Sequence, residues 1–258
     1  MVKIYDLSAG YGDCKVLHKI NLAFPNGSQT ALLGPNGSGK TTLLKCISGF
    51  LTATAGKIEI NGKYIEQYSK KELAHQVALI PQNFQLQFEY LVKELVLMGR
   101  FPYVSYLGGY RKEDHDIVNK VLSDLDLQNL ADKKFSELSG GEQQRVAIAR
   151  ALVQQTPILL LDEAFANLDV NHAINIMQLL SEINLKHNKT IILVSHNINL
   201  AVEYCENIVL MKNGNVITQG SPHEVVTESI LAEVYQKQIN VIHNPVSGQP
   251  NLVYSSEK

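Results

Sequence analysis

Short apolar runs recur along the chain, and a polar or glycine-rich segment follows each of them. Four of these runs end at Leu33, Ile80, Leu161 and Val194. Runs of this length, bounded by turn residues, are typical of strands that are buried on both faces. A helical period separates the last two runs, with apolar residues at positions 176, 177, 180 and 183. Strands that alternate with helices predict an α/β fold with a mostly parallel core sheet.

The first 24 residues alternate between apolar and polar positions, most clearly from Ile20 to Phe24. This period of two predicts antiparallel strands, which would form an N-terminal β subdomain ahead of the first buried run. Asn-Gly pairs predict two further hairpins, one turning at Asn61-Gly62 and the other at Asn213-Gly214.

The middle of the chain lacks strand signals from residue 83 to residue 129, and apolar residues recur at helical spacing from Ile117 to Leu125. We therefore predict an α-helical lobe over about residues 83–152, with a loop at the glycine-rich positions 107–110. Further on, Ser221 to Glu224 has the cap, first-turn proline and glutamate that open a last helix. The predicted organisation is one domain over residues 1–240 and a C-terminal tail over residues 241–258.

One segment fits the phosphate-binding loop pattern, in which a Lys-Ser/Thr pair follows the second of two spaced glycines. Its members are Gly34, Pro35, Asn36, Gly37, Ser38, Gly39, Lys40, Thr41 and Thr42. Glycines let successive N–H groups turn toward an anion, and the helix predicted from Lys40 adds the positive end of its dipole. The alternative is a glycine-rich surface turn, which the preceding strand disfavours.

The residue types in this loop suit a nucleotide with magnesium. Lys40 can reach the β- and γ-phosphates as a mobile point charge, and the Thr41 hydroxyl can ligate Mg²⁺ between them.

Functional side chains follow the other three buried runs as well. Gln82, Asp162, Glu163 and His196 stand at or just after strand ends, which in such sheets meet at one edge. Asp162 would hold the magnesium shell, Glu163 would polarise an attacking water, and Gln82 and His196 would contact the γ-phosphate. Taken singly, each could be an ordinary solvated residue at a strand end.

Composition narrows the possible partners. The chain has 258 residues and a net charge of −2, so it has no basic field for nucleic acid and none is expected as a partner. Cys14, Cys46 and Cys205 form no CxxC pair and no leader opens the chain, which predicts reduced thiols in a cytosolic protein. No apolar run approaches the roughly 20 residues that span a bilayer, so another chain would supply any membrane part.

A second anion cradle is predicted at Ser139, Gly140, Gly141 and Glu142, which precede the helical stretch from Val146 to Leu152. One chain would therefore carry two phosphate sites, although a bare turn with an N-cap would explain Ser139 alone. Tyr11 lies in a glycine-rich break, where its ring could stack on a flat base or could be an ordinary turn residue.

Together these features resemble the ATP-binding subunits of ABC transporters over nearly the whole chain. The resemblance rests on an ordered set: Tyr11, residues 34–42, Gln82, residues 138–145, residues 158–163, Asp169 and His196. It implies a P-loop NTPase fold and an ATP hydrolase coupled to transmembrane transport. The implied catalytic residues are Lys40, Gln82, Glu163 and His196. The implied Mg²⁺ ligands are Thr41, Gln82 and Asp162.

The resemblance also implies that Tyr11 stacks on the adenine and that two copies pair head to tail. Each ATP would lie between the phosphate loop of one subunit and residues 139–142 of the other, and Asp169 would cross between subunits. Gln82 and the helical lobe would pass the closing motion to two transmembrane permease subunits at the cytoplasmic face of the membrane. A solute-binding protein outside the cytoplasm would be an indirect partner.

One segment departs from the family pattern. The usual Glu-Pro-Thr-Ser-x-Leu-Asp is replaced by Glu163-Ala164-Phe165-Ala166-Asn167-Leu168-Asp169, which keeps both carboxylates.

Two other segments indicate the kind of transporter. Residues 98–102 and 244–250 are similar to those in ATPases of bacterial importers, with iron-siderophore complexes favoured ahead of haem or cobalamin. The general alternative is a helix ended by Gly99 and Pro102, and a flexible tail.

Proteins of other classes fit less well. A DNA-repair ATPase would need a long coiled-coil insertion between the phosphate loop and the Ser139 segment, but the helical lobe already fills the roughly one hundred residues between them. A translation factor of this family would carry two ATPase modules in one chain, whereas this chain has one. A GTPase would want Asn-Lys-x-Asp, whereas Asn188-Lys189-Thr190 is followed by Ile191.

Overall fold

The computed structural model describes residues 1–82, 88–105, 108–163 and 169–253. The first elements are β1 (Val2–Tyr11), β2 (Cys14–Phe24), β3 (Gln29–Leu33), α1 (Lys40–Ile47), β4 (Ala55–Ile60), β5 (Lys63–Tyr64), α2 (Lys70–Ala74) and β6 (Val77–Ile80). The middle of the chain forms α3 (Val92–Leu97), α4 (Lys112–Asp124), α5 (Gly140–Leu152) and β7 (Ile158–Leu161). The remainder forms α6 (Val170–His187), β8 (Thr190–Val194), α7 (Ile198–Tyr204), β9 (Asn207–Lys212), β10 (Asn215–Gly220), α8 (Pro222–Val225), α9 (Glu228–Tyr235), β11 (Asn240–His243) and β12 (Pro250–Val253). Short 3-10 turns span Ile65–Gln67, Met98–Tyr103, Gln128–Leu130 and Phe135–Glu137.

The core sheet has the strand order β10-β9-β3-β8-β7-β6. β3 pairs in parallel with both β8 and β9, and β7 pairs in parallel with β8 and β6. Only the edge strand β10 of this sheet runs antiparallel, through the predicted turn at Asn213-Gly214. The predicted α/β fold with a mostly parallel sheet is confirmed.

Successive residues of β3 enter two different hydrophobic cores. Leu33 belongs to the same core as Val96 of α3 and Ile148 of α5, whereas Leu32 belongs to the core that contains Phe24 and Ile4 of the N-terminal strands. Both faces of the sheet are therefore covered, which explains why its strands read as continuous apolar runs.

The second cover is the predicted antiparallel sheet, with the strand order β2-β1-β4-β5. β1 pairs with β2 from Val2 opposite Phe24 to Tyr11 opposite Cys14, with register shifts between. β4 and β5 turn at Asn61-Gly62, as the Asn-Gly pair predicted.

Helices α3, α4 and α5 lie where the helical lobe was predicted. α4 buries Val118 and Leu122, which is the face that the helical spacing indicated. Residues 108–110 form no helix or strand, in agreement with the predicted loop, and residues 83 and 107 lie outside the described ranges.

Gly99 does not end a helix, contrary to the general alternative for residues 98–102. It lies inside the 3-10 turn Met98–Tyr103. A Cβ added at Gly99 would lie 2.1 Å from the carbonyl oxygen of Arg150. The glycine is needed because the backbone of α5 approaches it closely.

The C-terminal region differs from the prediction in two ways. Ser221 opens only the four-residue α8, because Val226 leaves the helical region with ψ 76°. A second helix, α9, then starts at the Thr227 cap, whose hydroxyl accepts a hydrogen bond from the N–H of Ile230.

The predicted tail is a hairpin of β11 and β12 as far as residue 253. The Asn199 side chain on α7 accepts from the N–H of Leu252 at 2.8 Å and donates to its carbonyl at 3.2 Å. Glu203, one turn further along α7, accepts from Asn244 at 2.6 Å and from Ser247 at 2.8 Å. The hairpin is thus fixed to α7, and residues 254–258 lie outside the described ranges.

All three cysteines are free thiols, as predicted. Burial raises the pKa of the Cys46 thiol to about 11 and that of Cys205 to about 12. These two act as small apolar core residues, because a thiol that stays protonated is a poor nucleophile.

A buried ion pair of Arg100 with Asp114 joins the 3-10 turn Met98–Tyr103 to α4, and Arg100 also reaches the end of α5. The Arg100 guanidinium donates to the Asp114 carboxylate at 2.8 Å and to the Val153 carbonyl at 2.7 Å. The other Asp114 oxygen accepts from the N–H of Arg111 at 2.9 Å. Burial acts to raise the pKa of Asp114, but these hydrogen bonds outweigh it and hold the pKa below its ordinary value.

We predict that Arg100→Met lowers the free energy of unfolding by about 3 kcal/mol, because it leaves a buried carboxylate and a carbonyl without their donor. Urea denaturation measures the change. The matched control is Glu182→Gln, which breaks the exposed pair of Glu182 with Lys186 and should cost less than about 0.5 kcal/mol. Equal effects of the two substitutions would contradict this interpretation of Arg100.

Candidate nucleotide site

The phosphate-binding loop connects the end of β3 to the start of α1 and uses three left-handed glycines. Their φ angles are 142° at Gly34, 76° at Gly37 and 99° at Gly39. An added Cβ at Gly34 would also lie 2.1 Å from the Met211 carbonyl of β9. Only glycine takes these conformations without strain, so the loop can turn its N–H groups toward one point.

Lys40 is only 4% exposed, and its ammonium lies against its own loop. It donates to the carbonyls of Gly34 and Pro35, both at 2.9 Å, and to the Ser38 hydroxyl at 3.3 Å. Burial lowers the pKa of Lys40, while the nearby Glu163 and Asp162 carboxylates act in the opposite direction. An ammonium has three N–H donors, so a phosphate oxygen must displace one of these loop oxygens.

Asp162 and Thr41 form the second feature of the site. The Thr41 hydroxyl, on the first turn of α1, donates to the Asp162 carboxylate at 2.8 Å. Burial raises the pKa of Asp162, and the Thr41 hydrogen bond acts against this. A hydroxyl and a carboxylate side by side are hard oxygen donors of the kind that Mg²⁺ prefers, so the residues fit the predicted ion. When bound, Mg²⁺ neutralises charge on the phosphates.

Glu163, unlike Asp162, has a left-handed backbone, with a φ of 48°. This conformation costs a residue with a Cβ about 1–2 kcal/mol, and such strain is typical of functional sites. The Glu163 carboxylate contacts His196 Nε2 at 2.7 Å and also accepts from the Gln82 side-chain amide. The structure therefore brings together the residues that follow β6, β7 and β8.

Most of these groups surround a pocket of about 350 Å³, whereas Asp162, Gly34 and Pro35 are not in its lining. Its lining consists of Val16, Asn36, Gly37, Ser38, Gly39, Lys40, Thr41, Thr42, Gln82, Glu163 and His196. The volume is in the range of small-molecule sites. Among the described lining residues, Val16 on β2 is the one that the sequence did not predict, because an apolar residue in an alternating strand carries no chemical signal.

Ser139, Gly140, Gly141 and Glu142 are not part of this lining. α5 begins at Gly140, earlier than predicted, so both glycines stand in its first turn. Ser139 is the N-cap, and the Glu142 carboxylate returns to the Ser139 N–H at 2.8 Å and hydroxyl at 2.7 Å. This capping box is the signal in the sequence that the prediction overlooked.

Asp169 and Tyr11 also lie outside the lining. Asp169 is the N-cap of α6, and the family departure at residues 164–168 lies outside the described ranges. Tyr11 is 47% exposed at the tip of the hairpin that carries Val16, and the Lys45 ammonium is 5.5 Å from its ring centre. Its accessible face suits stacking on a flat base.

A family model described as ABC transporter matches residues 17–166 of the chain. The chain belongs to the ABC transporter family. As a member of this family it is an ATP-binding subunit of the ATP-hydrolysing class that drives transport. The predicted resemblance is confirmed.

Curated relatives match the ABC ATPase over almost its full length. The ferric enterobactin transport ATP-binding protein of Escherichia coli (strain K12) is 37% identical, covering 96% of this chain and 91% of its own length. The iron(3+)-hydroxamate import ATP-binding protein of Bacillus subtilis (strain 168) is 38% identical, with coverages of 95% and 91%. The hemin import ATP-binding protein of Nocardia farcinica (strain IFM 10152) is 36% identical, with coverages of 91% and 80%. The chain is thus the ATPase of an ABC importer.

Solved structures agree with the fold. A metal-chelate type ABC transporter in an inward-facing conformation superposes with a TM-score of 0.85 at 26% identity, covering 98% of this chain and 96% of that one. A dimeric bacterial ABC transporter cassette superposes with a TM-score of 0.75 at 32% identity, with coverages of 86% and 98%.

We predict that Gly37→Ala weakens ATP binding at least about tenfold, because alanine resists the positive φ of Gly37, which lines the pocket. Titration with a fluorescent ATP analogue measures the affinity. Gly62→Ala is the matched control, since both glycines have a positive φ and no atom within 4 Å of an added Cβ, and Gly62 lies in a distant hairpin turn. Both variants should lose about 1 kcal/mol of stability, and only the first should lose affinity.

Proposed function

We propose that this ABC ATPase powers a bacterial importer of iron-siderophore complexes through ATP-driven, head-to-tail dimerisation of two copies. The observation that carries the dimer is the separation of two anion-binding elements in one chain. Neither residues 139–142 nor Asp169 line the pocket at Lys40. Ser139 and Asp169 are instead exposed N-caps, Ser139 at the start of α5 and Asp169 at the start of α6. A second copy would bring these elements over the pocket and complete each ATP site.

The catalytic roles follow from the contacts in the pocket. Glu163 orients and polarises the attacking water, and its contacts with Gln82 and His196 hold the carboxylate in place until ATP arrives. Lys40 exchanges its loop carbonyls for phosphate oxygens. Thr41, Gln82 and Asp162 hold Mg²⁺, and Tyr11 stacks on the adenine.

Coupling to the membrane involves Gln82 and the helical lobe over about residues 83–152, within a single domain of residues 1–240. Phe88 and Phe101, which both belong to this segment, are 69% and 73% exposed, so each offers an aromatic anchor to a permease subunit. Two permease subunits would thus receive the closing motion, and a solute-binding protein would deliver the cargo to them. In the described part of the chain, no helix is suited to cross a bilayer. We place the ATPase at the cytoplasmic face of the membrane, as a peripheral subunit.

The cargo is inferred from relatives, because the ATPase does not touch it. Relatives at 35–38% identity are ATP-binding proteins of ferric enterobactin, siderophore, iron(3+)-hydroxamate and petrobactin transport, and this favours iron-siderophore complexes. Haem is the second candidate, supported by the hemin import relative at 36% identity.

We predict that Glu163→Gln lowers ATP turnover by at least about a hundredfold and traps an ATP-bound dimer, because the amide cannot polarise water. Phosphate release and light scattering with Mg-ATP measure the two effects. Glu182→Gln, an exposed change of the same kind on α6, should leave both unchanged. A Glu163→Gln protein with normal turnover would remove this residue from its proposed role.

We predict that Ser139→Arg leaves ATP binding by the monomer within about twofold of normal and abolishes ATP-driven dimerisation, because a bulky side chain fills the cradle. Analytical ultracentrifugation of the Glu163→Gln background, with and without Ser139→Arg, measures the dimer. Ser69→Arg is the matched control, since Ser69 is an exposed N-cap with the same kind of capping box on α2. Tight dimers of the Ser139 variant would refute the head-to-tail arrangement.

The transport class is tested by co-purification. Tagged Glu163→Gln protein is extracted from native membranes in mild detergent with Mg-ATP, and its partners are identified. A multi-spanning permease supports the proposal, and uptake assays with iron-siderophore complexes and haem then identify the cargo. Recovery with ribosomal or DNA-processing proteins alone would overturn it.

A further inference from the structure

His172 touches both elements that lie outside the pocket. It stands in the first turn of α6, where its N–H donates to one Asp169 oxygen at 2.9 Å and its Nδ1 lies 2.8 Å from the other. Its ring also lies against Gly141 in the first turn of α5. One side chain therefore connects the starts of two helices.

The contact with Asp169 goes beyond an ordinary helix cap. An N-cap aspartate needs only one oxygen to accept a backbone N–H of the first turn. Here the second oxygen is held as well, by the imidazole of His172. A carboxylate only accepts, so the proton of this hydrogen bond is on Nδ1, and both carboxylate oxygens are fixed. Asp169 is thus held in one orientation although it is exposed.

The contact with His172 explains why position 141 is a glycine, although its backbone conformation is open to other residues. Gly141 lies in α5 without a positive φ, where alanine would be more favourable. A Cβ added there would lie 2.3 Å from His172 Cδ2 and 2.9 Å from Nε2. The imidazole occupies the space that any other side chain would need. The ring and the glycine therefore form a fitted pair across α5 and α6.

We propose that His172 is a positioning residue that fixes Asp169 relative to the N-terminus of α5, so that both elements meet the partner subunit as one rigid surface. This inference rests on the proposed head-to-tail function, in which Asp169 and residues 139–142 both act on the partner's ATP. In this role His172 acts through Asp169 and Gly141. Because His172 already holds Asp169 and α5 in place, less conformational entropy is lost when the dimer closes.

The decisive experiment uses the full chain in the Glu163→Gln background, with native histidine, His172→Ala or His172→Asn. Asparagine keeps a side-chain N–H close to the position of Nδ1 and removes the ring. ATP-driven dimerisation is measured by analytical ultracentrifugation, and ATP affinity of the monomer by titration with the fluorescent analogue. Turnover is then compared in the same variants with native Glu163.

We expect His172→Ala to weaken dimerisation and lower kcat at least about tenfold, while the monomer's ATP affinity stays within about twofold. His172→Asn should recover dimerisation to within about threefold of the parent, because the hydrogen bond to Asp169 is retained. A purely structural role would lower the melting temperature without this selective loss and without the rescue.

A stability cycle tests the second contact independently. Gly141→Ala should lower the melting temperature when His172 is present, because the new methyl displaces the ring. In the His172→Ala background the same substitution should leave the melting temperature unchanged or raise it, because alanine favours the helix. Equal effects in both backgrounds would show that the ring and the glycine are not coupled.

The parent protein and the His172→Ala variant together distinguish a wrong role for His172 from a wrong head-to-tail dimer. If the parent dimerises with ATP and His172→Ala dimerises equally well, the role of His172 is overturned and the dimer stands. If the parent itself forms no dimer with ATP, the head-to-tail proposal fails, and this inference fails with it.

Discussion

The parallel pairing of β3, β8, β7 and β6 is the constraint on which the site depends. Because the four strands run in one direction, their carboxyl ends meet at one edge, and each delivers its following residues to the same place. The phosphate loop, Gln82, the Asp162-Glu163 pair and His196 meet there although His196 lies 162 positions after Gly34 in the sequence. The two hydrophobic cores on either side of the sheet hold this alignment, so the geometry of the candidate site is a consequence of ordinary apolar packing.

Locally unfavourable features are concentrated at that edge. Lys40 and Asp162 are buried charged groups, and each has a pKa shifted toward its neutral form by burial. Glu163 occupies a left-handed conformation that a side chain resists. The strands β3, β7 and β8 are buried at every residue, and their stability maintains this strain. Binding of a polyanion with a divalent cation would supply the counter-charges that such a site lacks.

The sequence predicted the sheet well, and it picked out residues that the structure brings together around one pocket, because both depend on strong local signals. Four apolar runs identified the buried strands, and the glycines at 34, 37 and 39 identified the loop. The start of α5 was placed too late, because Gly140 and Gly141 look like a loop and only the Ser139-Glu142 capping box shows otherwise. The β11–β12 hairpin was missed because its strands are short and half polar, and its stability comes from side chains on α7. Contacts between distant segments, such as His172 against Gly141, leave no periodic pattern to find.

The position of β3 has a consequence for how the chain is made. It lies between β8 and β9, so neither of its neighbours in the core sheet exists until the last third of the chain has been synthesised. At about 5–20 residues per second, a ribosome takes roughly 8–30 seconds to travel from Leu33 to Thr190. During that time β3 and the phosphate loop have their antiparallel cover but lack their sheet partners, with apolar edges exposed. The nascent chain is therefore most exposed to aggregation, and most dependent on chaperones, just before β8 emerges.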